Sequence, residues 1–104
     1  MENQQKQQFL LTQLVLMFQS AAMQHMGKLK NPMSDSIEKD LSQAQISIDM
    51  LDMLHTRMKS NLSADEDKMF LVVLQELKLN YVDEVAKSNV ASENPSQTES
   101  AQKA

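Results

Sequence analysis

Two histidines and nine methionines are the side chains of this 104-residue chain whose chemistry could reach beyond packing. His25 stands between Met23 and Met26, and Met50 and Met53 repeat the same three-residue step. Thioethers and imidazole together suit Cu(I). Methionine is also the usual filler of irregular cores and adaptable interfaces, and these positions fall on helix faces where packing is expected. Asp52 and His55 share the carboxylate-to-imidazole spacing of di-iron helical bundles. Such a centre needs two of these motifs and two further glutamates. One chain supplies a single copy; a dimer would double it, with Glu66 or Glu76 completing the set. The plainer expectation for His55 is a core imidazole satisfied by a hydrogen bond, able to act as a switch near its ordinary pKa of ~6.5. His25 suits the negative end of a helix dipole. Asp40, Asp49 and Asp52 could be read as paired carboxylates for acid–base work, but no nucleophile with an orienting base accompanies them. No Gly-rich phosphate loop is present. The expectation is a protein that is not an enzyme and carries no metal and no cofactor.

Composition narrows the class further. Fourteen acidic residues oppose ten basic ones, for a formal charge of −4. The bases are scattered singly apart from Lys28 and Lys30, whereas a phosphate backbone rewards clustered cations; nucleic acid is not an expected partner. There is no cysteine, which removes disulfides and thiolate metal sites and agrees with a reducing compartment. The apolar run from Phe9 to Phe18 is broken by Thr12 and Gln13 and falls short of the ~20 residues that span a bilayer. Ser20-Ala21-Ala22 looks like a small-residue cleavage site, but Glu2 beside Lys6 does not make the positive leader of a secretory signal.

One glycine and two prolines are too few for the turns of an all-β protein. The pattern predicts three long helices. The first, about residues 5–26, carries a stripe of Leu10, Leu14, Met17, Phe18 and Ala21, and ends at Gly27, where a left-handed cap belongs. The second, about 35–59, starts near Ser34 or Ser36. Its seam of Ile37, Leu41, Ala44, Ile48, Leu51, His55 and Met58 alternates steps of four and three, as a coiled coil does. The third, about 64–87, opens on the capping box Ser63-Ala64-Asp65-Glu66. Its seam is Phe70, Val73, Leu74, Leu77, Tyr81 and Val85. Residues 88–104, polar with Pro95, read as a disordered tail. The architecture implied is all-α: one domain over 1–87, up-down-up, with antiparallel neighbours.

Each helix then carries more apolar residues than one stripe needs. Phe9, Val15, Leu16 and Met23 fall outside the stripe of the first. Ile46, Met50 and Met53 lie opposite the seam of the second. Leu71, Val72, Leu79 and Val82 lie off the seam of the third. A three-helix monomer would leave these bare as a patch larger than monomers usually show. Leu16, Met23, Ile46, Met50, Met53, Leu71, Val72 and Leu79 are therefore candidate interface residues. A two-fold homodimer is the simplest way to cover them, and a different protein partner is the other. Association with a membrane surface through the first helix is disfavoured, because that helix lacks a basic polar face.

The same residues carry a likeness. Leu14-Val15, Met26-Gly27 followed by Pro32, Asp40-Leu41-x-x-Ala44, and Ile48-Asp49-x-Leu51-x-x-Leu54 come first. Asn61-Leu62 followed by Glu66, and Leu74-x-Glu76-Leu77-x-x-x-Tyr81-Val82, complete the order. From about Phe9 to Val82 the chain resembles the bacterial domain of unknown function eighteen-forty-four. It departs at Arg57-Met58-Lys59-Ser60, where the family pattern looks like Lys-Thr-x-Gly. The resemblance implies a small cytoplasmic bacterial helical protein and implies no activity.

Overall fold

The computed structural model describes residues 2–93. Three helices account for most of them: α1 (Asn3–His25), α2 (Leu41–Met58) and α3 (Ala64–Glu93), with a short 3-10 turn, Lys59–Asn61, closing α2. Each boundary has a local cause. α1 ends in a Schellman motif: Lys28 N–H donates to the Met23 carbonyl (2.9 Å) and Gly27 N–H to that of Gln24 (3.0 Å). This needs a left-handed residue at Gly27, whose φ is +83°. The capping box at α3 is formed as expected, with Glu66 N–H donating to Ser63 Oγ and Ser63 N–H to Glu66 Oε1. The 3-10 turn contains no positive φ, so Ser60 fits there without strain.

Two helix ends differ from expectation. α2 begins at Leu41, not near Ser34 or Ser36. Its cap is Asp40, whose carboxylate accepts Gln43 N–H at 3.2 Å. The serine hydroxyls are used elsewhere: Ser34 and Ser36 bond each other, and Ser36 donates to Glu38. Asn31 N–H donates to the Ser36 carbonyl, and Asp35, in the left-handed region at φ +54°, completes the tight turn. Ile37 therefore sits in this connection, 61% exposed, and is not part of the seam. At the other end, α3 continues past Lys87 to Glu93, so residues 88–93 are helical and not tail. Val90 and Ala91 continue the helix, and the first true breaker is Pro95. Residues 94–104 of the expected disordered tail lie outside the described residues.

His55, near the end of α2, meets Asp67, near the start of α3. Lys28, just past α1, meets Glu84, late in α3. α2 is thus antiparallel to both neighbours. It packs along α1 and along α3, which touch each other less. The array is flattened, with principal extents of 59 × 31 × 15 Å. Val15, Ala22 and Met26 from α1 close on Ala44, Ile48 and Leu51 from α2 and on Phe70, Val73, Leu74 and Leu77 from α3.

The seams of α2 (from Leu41) and α3 are those read from the spacing. That of α1 is not. The buried stripe is Leu11, Val15, Phe18, Ala22 and Met26, one residue on from Leu10, Leu14, Met17 and Ala21. Val15, expected off the stripe, is fully buried, and Leu10, Leu14 and Met17 face outward. One residue is a rotation of about 100° on a helix, and both stripes are apolar, so periodicity alone could not choose between them.

Two substitutions check this packing. Phe70→Ala is expected to destabilise the fold by ~3–5 kcal/mol in urea unfolding. Val15→Ala is expected to cost more than Leu14→Ala, although leucine loses the larger group, because Leu14 already meets solvent.

Candidate functional site

Two ionisable groups are drawn into the core, and both have partners. His55 is 8% exposed and stacks at a tilt on Phe70, ring centroids 5.4 Å apart. Its Nε2–H donates to Asp67 Oδ1 at 2.6 Å; a carboxylate can only accept. Asp67 was not foreseen as the partner, yet it lies one turn before Phe70 on the α3 seam, where an acid calls for explanation. Asp52 lies instead against Lys78, 3.4 Å away, and Asp49 accepts from Gln45. The Asp52–His55 spacing therefore does not converge on a shared site. Met23 is half-buried and Met26 fully buried in the core, while Met50 and Met53 face outward. Among the described residues no three His, Asp or Glu side chains gather as a metal would require.

Glu84 is the second buried ionisable group, 7% exposed. It falls seven residues after Leu77, so it occupies a seam position. Lys28 Nζ lies 2.7 Å from Oε2, Lys39 Nζ 2.9 Å from Oε1, and Lys87 Nζ 3.2 Å from Oε2. Lys28 and Lys87 also reach Asp83. The hydrogen bonds from Lys28 and then Lys39 outweigh the opposing effect of burial, with Lys87 adding to them. They hold the Glu84 carboxyl down at about 2, from an ordinary 4.5. The arrangement fastens both ends of the α1–α2 connection to α3. Its cations are taken up by carboxylates, so it offers no free charge to a ligand.

The outer faces stand differently. Leu16, Ile46, Met50, Met53, Leu71 and Val72 are between 41% and 55% exposed, and Leu79 is more open still. Met23, the other candidate, packs partly against the core. Ile46, Met50 and Met53 make one stripe along α2, and Val72, Leu79 and Val82 one along α3, each opposite its seam. α1 adds Phe9, Leu10 and Met17, of which Leu10 and Met17 were expected inside. The connection between α1 and α2 contributes Met33, 93% exposed at the tip of its turn. A groove of about 510 Å³ lies between the start of α1 and the 3-10 turn, over Leu11, Met58 and Leu62. Its rim is mainly Gln, Ser and Asn, and Glu66 is committed to the capping box. Among the described residues no helix is long and apolar enough to cross a membrane.

The model of a domain family of unknown function, DUF1844, matches residues 8–84. It is the family whose pattern the sequence resembles, and the match runs through all three buried seams. No curated protein and no solved structure matches the chain.

Both polar contacts are open to test. Asp67→Ala leaves a buried ring nitrogen without its acceptor and is expected to cost ~1–3 kcal/mol in urea unfolding. The carboxyl of Glu84 is depressed in the folded state, so its stabilisation is complete above pH ~4.5 and drains away as pH falls toward 2. Glu84→Gln is expected to lower stability at neutral pH by ~1–3 kcal/mol. It should also flatten the loss between those two pH values, as read by thermal unfolding across a pH series.

Proposed function

Because the chain belongs to DUF1844, a family defined by its domain and by no activity, we propose a function from the chain's own surface: it is a non-catalytic helical module that acts by association. The simplest form is a homodimer in the cytoplasm, with outer apolar area left over for a further protein. One observation carries this reading. Leu16, Ile46, Met53 and Val72, on three different helices, all keep two-fifths or more of their surface open. Scattered apolar side chains are ordinary on a monomer. Stripes of them opposite each seam are not, since large contiguous patches mark interaction sites. Covering one such side chain is worth ~1.5–3 kcal/mol, so a few at one interface offset the cost of bringing two chains together.

The flattened shape supports the same reading. Three rods in a shallow array bury one stripe each and leave broad outer faces, which a compact bundle would reduce. A catalytic role has no comparable support. His55 and Glu84 are enclosed and paired, Asp52 lies against Lys78, and Asp49 accepts from the Gln45 amide.

Light scattering over a wide concentration range tests the reading. A mass of two chains or more, falling on dilution, is the expected result; one chain's mass at every concentration overturns self-association. A pull-down with the tagged full chain tests the second part, with Ile46→Glu/Met53→Glu as comparison. Proteins recovered with the native chain and lost with the variant are expected. Identical recovery removes the α2 stripe as a docking face.

A further inference from the structure

We infer that the outer face of α1 is where a second copy of this chain docks, antiparallel, about a two-fold axis at Gln13. This rests on the association proposed above and names its surface. From Gln7 to Gln24 not one side chain of α1 is ionisable, although the whole chain carries 24 acidic and basic residues. A two-fold interface brings each surface against its own copy, so any net charge on it meets like charge. The outer stripe of α2 runs into Arg57, beside Asp49, and that of α3 begins at Lys68. α1 alone presents its apolar outer residues without that penalty.

The spacing on this face is self-complementary. Phe9 and Leu16 form one rail, seven residues apart; Leu10 and Met17 form a second; Gln13 and Ser20, both exposed, lie between. Turned over about Gln13, Leu10 falls opposite the partner's Leu16 and Phe9 opposite the partner's Met17. Lys6 then meets the partner's Ser20, whereas parallel pairing would set Lys6 against its own copy. The two Gln13 amides can each donate to and accept from the other at the axis. Half-open side chains of this size leave on the order of 100 Å² each, so the rails supply roughly half of the ~800 Å² one partner gives a stable interface. Gln13, Ser20 and the flanking Leu14 widen it. Residues 94–104 hold no Leu, Ile, Val, Met or aromatic residue to lay on this face instead.

The native chain has no cysteine, so single thiols report cleanly. Gln13→Cys and, at the middle of the outer face of α3, Gln75→Cys are treated with a short bis-maleimide. Position 13 is expected to join two chains at least about tenfold faster. Leu10→Glu/Met17→Glu is expected to raise the concentration at which dimers form by about a hundredfold or more, with helicity by circular dichroism unchanged. Val72→Glu/Leu79→Glu should leave it in place. If position 75 joins first, or the α3 variant dissociates while the α1 variant does not, the face is wrong and self-association stands. A native chain that is monomeric throughout overturns both. Flotation of monomeric native chain with phosphatidylcholine–phosphatidylglycerol vesicles, lost in the α1 variant, overturns the second copy in favour of a lipid surface.

Discussion

Burying a full negative charge is costly unless cations surround it, and the geometry of one end of this protein follows from meeting that demand at Glu84. The carboxylate sits where the α3 seam would otherwise take a leucine. Two of its three lysines come from the stretch between α1 and α2, whose Leu29, Met33 and Ile37 are exposed and do little to hold it down. The ion cluster does there what the core does elsewhere. At the opposite end His55 plays the same part between α2 and α3, through Asp67 and the ring of Phe70. Between these two polar anchors the core is a single apolar layer, and α2 serves both neighbours.

Much of this order was legible in the residue pattern. The seams of α2 and α3, the glycine at the end of α1 and the capping box before α3 all follow from local chemistry with one good solution. The failures have equally local causes. α1 carries two adjacent apolar stripes, and the choice between Leu10-Leu14-Met17 and Leu11-Val15-Phe18 is made by the helices it packs on. Ser34 and Ser36 have the right chemistry for a helix cap, but a tight turn closed by Asn31 and Asp35 engages them first. Asp67 as the partner of His55, and Lys28 and Lys39 as partners of Glu84, are distant in sequence, which local pattern does not reveal. Even so, Asp67 and Glu84 sit on the α3 stripe, and an acid in an apolar register is itself a sign of a long-range partner.

The apolar residues outside the core belong to the same account. The fold satisfies every buried polar side-chain atom among the described residues, while Phe9, Met17, Val72 and Leu79 stay open to solvent. Strict polar burial beside permissive apolar exposure is the pattern on which the proposed association rests. The uncharged length of α1 sets that helix apart from the other two, whose outer stripes are bordered by lysine, arginine and aspartate.

The fastening at Glu84 also bears on how the chain reaches its native form. Lys28 and Lys39 are made early in synthesis, and their carboxylate follows some 50 residues later. The connection between them stays unfastened until the far half of α3 has been made. Contacts of such sequence separation slow folding relative to local ones. The helical hairpin of α1 and α2, with the local bonds of its loop, can thus form as a unit, while the ionic tie of that loop to α3 waits for Glu84.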